Sequence, residues 1–142
     1  MTKYWIGTVS ADHVARGVAG GFAQVGHGKG APLRRMSKGD WMIYYSPKTS
    51  MTDGEPLQAF TAIGEVADDE VYQGEMSADF HPWRRDIDWL PAIHAPIRPL
   101  LPDLKFIAGR ANRGMIFRRG HFEIAEADAR AIATAMGVEL PD

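Results

Sequence analysis

The chain contains no cysteine in its 142 residues. Disulfide bonds and thiolate metal sites are therefore excluded, and a reducing cytoplasm is the expected compartment. No segment approaches the roughly 18 consecutive apolar residues of a membrane-spanning helix. The opening residues, MTKYWIGTVS, lack the apolar core of a signal peptide. We therefore expect a soluble cytoplasmic protein that makes no membrane contact.

Recognisable catalytic and metal-binding motifs are also missing. The five histidines show no metal-ligand spacing such as H-x-E or H-E-x-x-H, and the chain has no G-x-S-x-G elbow and no P-loop. The acidic triplet at residues 68–70 has no partner base nearby in the sequence. We predict a protein that is not an enzyme and that carries no metal and no cofactor. Catalysis by groups assembled from distant parts of the chain stays an open alternative.

Net charge is small, but the charges are unevenly spread. A formal charge of −2 and a pI near 6.2 argue against a protein that coats nucleic acid by bulk attraction. Acidic residues are absent between Asp12 and Asp40 and again from Lys105 to Arg119, whereas basic residues are absent between Lys48 and Arg84. We call 12–40 and 105–119 the first and second basic stretches. They predict one basic face for phosphate, opposite an acidic one; the alternative is a set of separately solvated charges.

The length predicts a single domain over residues 1–142. Residues 4–9 are typical of a strand, and Ser10 is predicted to cap a helix that buries Val14 and Val18 and stops at 20–21. Strands at 41–45 and 58–66 are expected to form a hairpin with a long loop, with a bulge at Gly64.

The second half of the chain is less regular. Residues 71–83 predict an irregular segment, 84–97 a strand broken by Pro91 and Pro96, 100–107 a helical turn, and 114–117 a short strand or turn. A closing strand at 121–124 precedes a helix whose apolar residues recur at helical spacing up to Gly137. The whole pattern predicts an α+β fold, a mixed β-barrel of five to six strands with flanking helices.

The stretch GGFAQVGHGKGAPLRRMSKGDWMIYYSP, residues 20–47, combines small residues with hydrogen-bonding side chains. Gln24 offers an acceptor and two donors in one plane, which suits the edge of a nucleobase. His27 and Lys29 alternate with glycines, so each can approach a base or a phosphate. The simpler alternatives are a glutamine that only holds its own loop, an exposed histidine and a mobile hinge.

The last part of this stretch contains aromatic residues at the end of a strand. Alternation puts Tyr44 and Tyr45 on opposite faces, so one tyrosine is expected in the core. We predict that Tyr45 lines the pocket together with Ser46 and Pro47.

A second aromatic and basic segment, FHPWRR, starts at residue 80. Phe80 and Trp83 are predicted to stack on a base, where one ring contributes about 1–3 kcal/mol, and Arg84 and Arg85 to pair with phosphates. The alternative is a tryptophan that caps one end of the barrel while the arginines balance nearby acidic residues.

The order YWIGTVS, a helix, the 20–47 stretch, QAFTAIGEV and RRDIDWLPAI resembles the EVE domain, a family with a PUA-like β-barrel, and is similar to its bacterial stand-alone members. The resemblance covers nearly the whole chain. It implies kinship with YTH and ASCH domains, which hold a flipped modified base in an aromatic pocket. Phe22 corresponds in order to an aromatic residue of the YTH cage, and Gln24 resembles the glutamine of the EVE pattern.

These expectations combine into a reader of one extruded, modified nucleobase in DNA or RNA, acting as a monomer. Ring faces would come from Phe22, Tyr45 and Trp83, edge hydrogen bonds from Gln24 and Ser10, and phosphate contacts from His27, Lys29, Arg84 and Arg85. The alternatives are a small-molecule sensor of a nucleoside-like or aromatic metabolite and, less favoured, a hydrolase acting on modified nucleotides. The sequence leaves open which modification is read and whether the partner is DNA or RNA.

Overall fold

A computed structural model describes residues 1–108 and 114–141, so Arg110 and Arg113 of the second basic stretch lie outside the described residues. The described chain forms seven strands, four α-helices and one 3-10 turn, here called η1. In order these are β1 Tyr4–Thr8, α1 Ala11–Gly20, β2 Phe22–Ala23, α2 Ala31–Arg34, β3 Trp41–Lys48, β4 Pro56–Gln73, β5 Trp83–Trp89, β6 Ala95–Pro96, η1 Arg98–Leu100, α3 Gly114–Phe117, β7 His121–Ile124 and α4 Glu126–Ala135.

The strands form one mixed sheet in the order β2-β5-β4-β3-β1-β7, with β6 also paired to β4. Strand β1 runs parallel to β3, and the other pairs are antiparallel. The predicted mixed α+β class is confirmed. The sheet has seven strands and not the predicted five to six, and within the described residues β2 and β7 remain its two edges, so hydrogen bonds do not close it into a barrel.

Alternation along β1 and β3 gives the sheet two covered faces. The closed face carries Ile6, Ile43 and Tyr45, which pack with Phe122 and the apolar side of α4. The pocket face carries Trp5, Met42 and Tyr44, which pack with residues of α1, β2 and α2. We keep these two names below.

Strand β4 is longer than predicted, since residues 71–73 belong to it and not to an irregular segment. The sequence hides this because the β4–β5 register shifts between Val66 and Val71. Pairing resumes beyond the shift, where the Tyr72 hydroxyl donates to Asp86 Oδ1 at 2.5 Å. Gly64 marks no bulge: a Cβ there would lie 2.6 Å from the Ile87 side chain, so the glycine permits close strand packing.

Helix α1 also differs in detail from its prediction. Val14 is buried as predicted, but Val18 is 41 % exposed. The helix makes its other close contact with the rest of the protein at Gly17, where a Cβ would lie 2.6 Å from the Phe22 carbonyl oxygen. Ser10 holds the N-cap position without a capping bond, because its hydroxyl donates to Asp12 Oδ1 at 2.6 Å.

Near the end of the chain, one segment differs from its prediction and one residue matches it. Residues 114–117 form a short α-helix and not the predicted short strand or turn. The residue after α4's last turn, Gly137, adopts the expected left-handed conformation with φ 77°.

Candidate functional site

A cavity of about 980 Å³ opens on the pocket face. Its wall is built from the ends of β1 and β3, helix α1, the loop after β2, the segment leading into β5, and the residues after α3. The lining residues are Thr8, Val9, Ser10, His13, Arg16, Gly17, Phe22, Gln24, Val25, Gly26, His27, Gly28, Lys29, Tyr44, Pro47, Lys48, Ser50, Met51, Met76, Phe80, Arg84, Phe117, Arg118, Arg119 and Gly120.

Tyr44 fixes the backbone of the cavity wall at Gln24. The Tyr44 hydroxyl accepts from the Gln24 N–H at 2.9 Å and donates to the Gln24 carbonyl at 2.9 Å. Its ring stacks on Trp89 with 5.2 Å between centroids. Burial raises the pKa of the Tyr44 hydroxyl far above its usual range. Tyr44 therefore acts as a neutral clamp that sets the position of Gln24.

The Gln24 side chain is held in one orientation. Arg84 Nε donates to Gln24 Oε1 at 2.6 Å, and the Arg84 guanidinium carbon lies 4.0 Å from the centre of the Phe22 ring. Arginine is donor-only, so the Gln24 oxygen must face it and the amide nitrogen must face the other way. Gln24 Nε2 lies 3.6 Å from the thioether sulfur of Met76, a weak acceptor. The Gln24 amide thus presents donors that a better acceptor on a ligand can take.

The loop after β2 brings a histidine and a lysine to the mouth. Gly26, His27 and Gly28 are all left-handed, with φ of 57°, 59° and 84°. A Cβ at Gly28 would lie 2.7 Å from the Pro82 side chain, so glycine permits this close approach. His27 and Lys29 are both exposed. The tight turn therefore leaves both side chains available to a ligand.

Charge in the wall has one sign. Of the described residues, six basic side chains line the cavity and no Asp or Glu does, although the chain as a whole carries −2. Among the described residues, none of these six forms a salt bridge with a carboxylate. Cations that line a concavity without a salt bridge to a carboxylate attract and orient an anion. The six are Arg16, Lys29, Lys48, Arg84, Arg118 and Arg119.

Eight of the twelve predicted site residues line the cavity. They are Ser10, Phe22, Gln24, His27, Lys29, Pro47, Phe80 and Arg84. Four predicted residues lie elsewhere: Tyr45, Ser46, Trp83 and Arg85.

Tyr45 and Ser46 face the interior. Tyr45 is 5 % exposed and stacks on Phe117 with ring centroids 3.9 Å apart on the closed face. Ser46 is fully buried, and its hydroxyl is 2.8 Å from that of Thr61. The expectation that Tyr45 rather than Tyr44 reaches the pocket is therefore wrong, because α3 closes the face that Tyr45 occupies.

Trp83 and Arg85 have structural partners of their own. Trp83 packs against Gly30 and beneath the Arg34 guanidinium, which lies 4.8 Å from its ring centre. Arg85 is 2 % exposed and donates to the carbonyls of Leu33, Met36 and Asp68. The expected phosphate contact at Arg85 is therefore corrected to a buried crosslink, and of the predicted cage rings Phe22, Tyr45 and Trp83 only Phe22 lines the cavity.

Sequence reasoning missed several lining residues. Alternation separates Tyr44 from Tyr45 but does not say which of the two faces the cavity. Arg118 and Arg119 belong to the second basic stretch, and Arg16 to the first, but no sequence signal assigns them to one cavity. Met76 carries no pattern that marks it as part of a site.

No group of three or more His, Asp or Glu side chains is placed to hold a metal ion in residues 1–108 and 114–141. No helix in that part of the chain is long and apolar enough to cross a membrane.

Comparison with known proteins assigns the chain to a family. The EVE domain family matches residues 3–135. The chain belongs to the EVE domain family. Relatives include a UPF0310 protein of Mycolicibacterium vanbaalenii, 59% identical over 93% of this chain and 91% of that protein. The UPF0310 protein YdcG of Bacillus subtilis is 48% identical over 98% of this EVE domain and 95% of its own length.

Solved structures share the fold of this EVE domain. Rpa0253 from Rhodopseudomonas palustris matches with a TM-score of 0.55 and 17% identity, over 96% of this chain and 94% of that one. Atu2648 from Agrobacterium tumefaciens matches with a TM-score of 0.55 and 13% identity, over 99% of this chain and 100% of that one. At such low identity these likenesses establish the fold alone.

Proposed function

We propose that this protein binds nucleic acid by holding one unpaired, modified nucleobase in the cavity of the pocket face. The observation that carries the proposal is the lining that the described residues give the cavity: aromatic rings, an amide of fixed orientation and six cations, with no carboxylate. Membership of the EVE family supports nucleic acid as the class of partner.

In this proposal Phe22 and Phe80 offer ring faces to the base, and each stacked ring contributes about 1–3 kcal/mol. Gln24 reads an acceptor on the base edge through its amide N–H, in the orientation that Arg84 imposes. Lys29 and the free amino groups of the Arg84 guanidinium take the adjacent phosphates. Met76 and Met51, which are flexible and exposed at the mouth, accommodate an added methyl-sized group.

Titration of single-stranded oligonucleotides of about seven residues tests this assignment. The central base is either unmodified or methylated on a ring carbon or an exocyclic nitrogen, and fluorescence anisotropy gives the two affinities. We expect the wild type to prefer a methylated base, and Gln24→Ala to lower that preference by about 1–3 kcal/mol. Gln58→Ala, an exposed glutamine outside the cavity, is the matched control and should leave the preference unchanged.

The proposal is one of binding without turnover, so mass spectrometry should recover each oligonucleotide unaltered after incubation. Release of the modified base would favour the hydrolase alternative. Equal affinity for the free nucleoside and the oligonucleotide would favour a metabolite sensor. Equal affinity for modified and unmodified bases across the panel would contradict base reading.

A further inference from the structure

Helix α1 runs along the cavity and defines its two ends. At its start, the Asp12 N–H donates to the Thr49 carbonyl at 3.0 Å, beside the last residues of β3. At its finish, the Gly21 carbonyl accepts from the Ile87 N–H at 3.0 Å, beside β5. The ten residues of α1 span about 15 Å at roughly 1.5 Å per residue. We call these the β3 end and the β5 end of the cavity.

The cations of the wall gather at both ends. Lys29 and Arg84 lie at the β5 end, where Arg84 bonds to Gln24 and the Trp83 N–H donates to the Gly28 carbonyl at 2.9 Å. Lys48, Arg118 and Arg119 lie at the β3 end, which is closed by a 2.9 Å bond from the Thr8 N–H to the Gly120 carbonyl. Arg16 projects from α1 between the two groups.

The β3 end is suited to an anion. Three cations, Lys48, Arg118 and Arg119, line it, and no carboxylate is among the described lining residues. Cations that converge on one end of a concavity make the β3 end suitable for an oxyanion.

The cavity is also larger than a single base needs. Its volume of about 980 Å³ lies near the top of the range of roughly 300–1,000 Å³ for small-molecule sites. A length of about 15 Å corresponds to about four nucleotides at the roughly 3.4 Å axial spacing of one duplex strand, and to fewer for an extended strand.

We propose, building on the function proposed above, that the ligand is a single-stranded segment of about three to four nucleotides that lies along α1. The β5 end holds the phosphate on one side of the central base, and the β3 end holds the phosphate on the other side. The site therefore requires an internal nucleotide, with phosphates on both sides, and binds a terminal nucleotide or a free nucleoside poorly.

A length series tests the proposal without reference to base modification. Deoxythymidylate oligomers of one to eight nucleotides are titrated into the wild type at two salt concentrations. Affinity should rise steeply up to about four nucleotides and then level off. The slope of log K against log salt should grow in magnitude by about 0.7 for each phosphate bound, which is the single-strand value.

A triple variant at the β3 end, Lys48→Gln, Arg118→Gln and Arg119→Gln, should level off at about two nucleotides. It should lose about 1.4 units of salt slope, since two phosphates at about 0.7 each are no longer bound. The matched control, Lys38→Gln, Arg98→Gln and Lys105→Gln, removes the same charge from exposed positions outside the cavity and should keep the wild-type length dependence.

An affinity that stops rising at one nucleotide, no binding of any oligomer, or equal loss in both triple variants would overturn the strand assignment. Failure of the strand assignment can be told apart from failure of the proposed base reading. A length plateau near four without preference for any modified base supports the strand site and rejects the reader, whereas base preference with a plateau at one rejects only the strand site.

Discussion

Two consecutive tyrosines on β3 meet opposite surroundings on the two faces of the sheet. On the closed face, Tyr45 packs between Phe60 and Phe117, with centroids 5.4 and 3.9 Å away, and burial raises the pKa of its hydroxyl. On the pocket face, Tyr44 is equally inaccessible from outside but its hydroxyl braces Gln24 at the cavity wall. Tyrosine thus packs in the core on one face and braces the cavity wall on the other. The segments that cover each face decide which of the two roles a tyrosine has.

Strand β5 repeats the contrast with two arginines. Arg84 lines the cavity and is held by Gln24 and the Phe22 ring. Arg85 points away from the cavity, towards α2, and crosslinks three backbone carbonyls in the interior. Adjacent identical residues therefore divide into one that lines the candidate site and one that crosslinks the interior, and mutations should separate them.

The largest effect is expected at Tyr45. Tyr45→Ala removes a buried ring from the closed face and should lower the free energy of unfolding by about 3–5 kcal/mol, as large-to-small core changes do. Urea denaturation measures it. The nucleic-acid affinity of the folded fraction should stay near that of the wild type. A variant that loses affinity but keeps wild-type stability would show that Tyr45 belongs to the binding site.

Arg85→Ala should cost about 3 kcal/mol of stability, because it leaves buried carbonyls without a donor. The matched change Arg84→Ala removes a half-buried cavity residue and should cost below about 1 kcal/mol of stability while weakening oligonucleotide binding. Thermal melts measure the stability of both variants, and anisotropy titrations measure their affinity for an oligonucleotide. Reversed effects would mean that the two arginines have exchanged roles.

Low pH should weaken the fold through His121, which is 4 % exposed and stacked on Trp5 at 4.9 Å. Burial, with a smaller effect of Arg35, lowers the His121 pKa from 6.5 to about 4. Between these values the unfolded chain binds more protons than the folded chain, so stability falls as the pH drops from about 6.5 to about 4. The loss should reach about 3 kcal/mol at roughly 1.4 kcal/mol per pH unit.

The control for this pH effect is His121→Phe, which keeps a ring against Trp5 and has no titrating group. Denaturation at pH 7 and pH 4.5 should show a clearly smaller pH-dependent loss in the variant than in the wild type. The same loss in both proteins would assign the acid sensitivity to carboxylates instead.

Among the four buried residues Tyr45, Arg85, His121 and Tyr44, the smallest loss of stability is expected at Tyr44. Tyr44→Phe keeps the ring on Trp89 but removes both hydrogen bonds to the Gln24 backbone, which should cost about 1–2 kcal/mol of stability. Because Gln24 loses its brace, preference for a modified base should also fall in the anisotropy assay. An unchanged preference would show that Arg84 alone positions Gln24.

Sequence reasoning predicted the elements that depend on local patterns. The α+β class, strands β1, β3 and β7, helices α1 and α4 and the left-handed Gly137 all follow from periodicity and turn chemistry. The long β4 escaped because a register shift interrupts its alternation, a feature that pairing with β5 decides. The short β2 escaped because a two-residue strand has no period to detect.

The candidate site was predictable where residues cluster along the chain. Phe22, Gln24, His27 and Lys29 fall within one glycine-rich stretch, and all four line the cavity. Which of two adjacent side chains faces the cavity could not be predicted, because that depends on whether distant segments such as α3 cover a face. The cations of the β3 end come from separate segments, so only the folded chain brings them together.

The side-chain amide of Gln24 tests most directly whether the cavity is a base-binding site. The chain has three glutamines and one asparagine, so nitrogen-15 NMR spectra contain only four side-chain amide pairs. On titration with a single-stranded oligonucleotide carrying one methylated base, the Gln24 pair should shift strongly while the Gln58 pair stays in place. Saturation of binding with an unmoved Gln24 pair would contradict the proposed site.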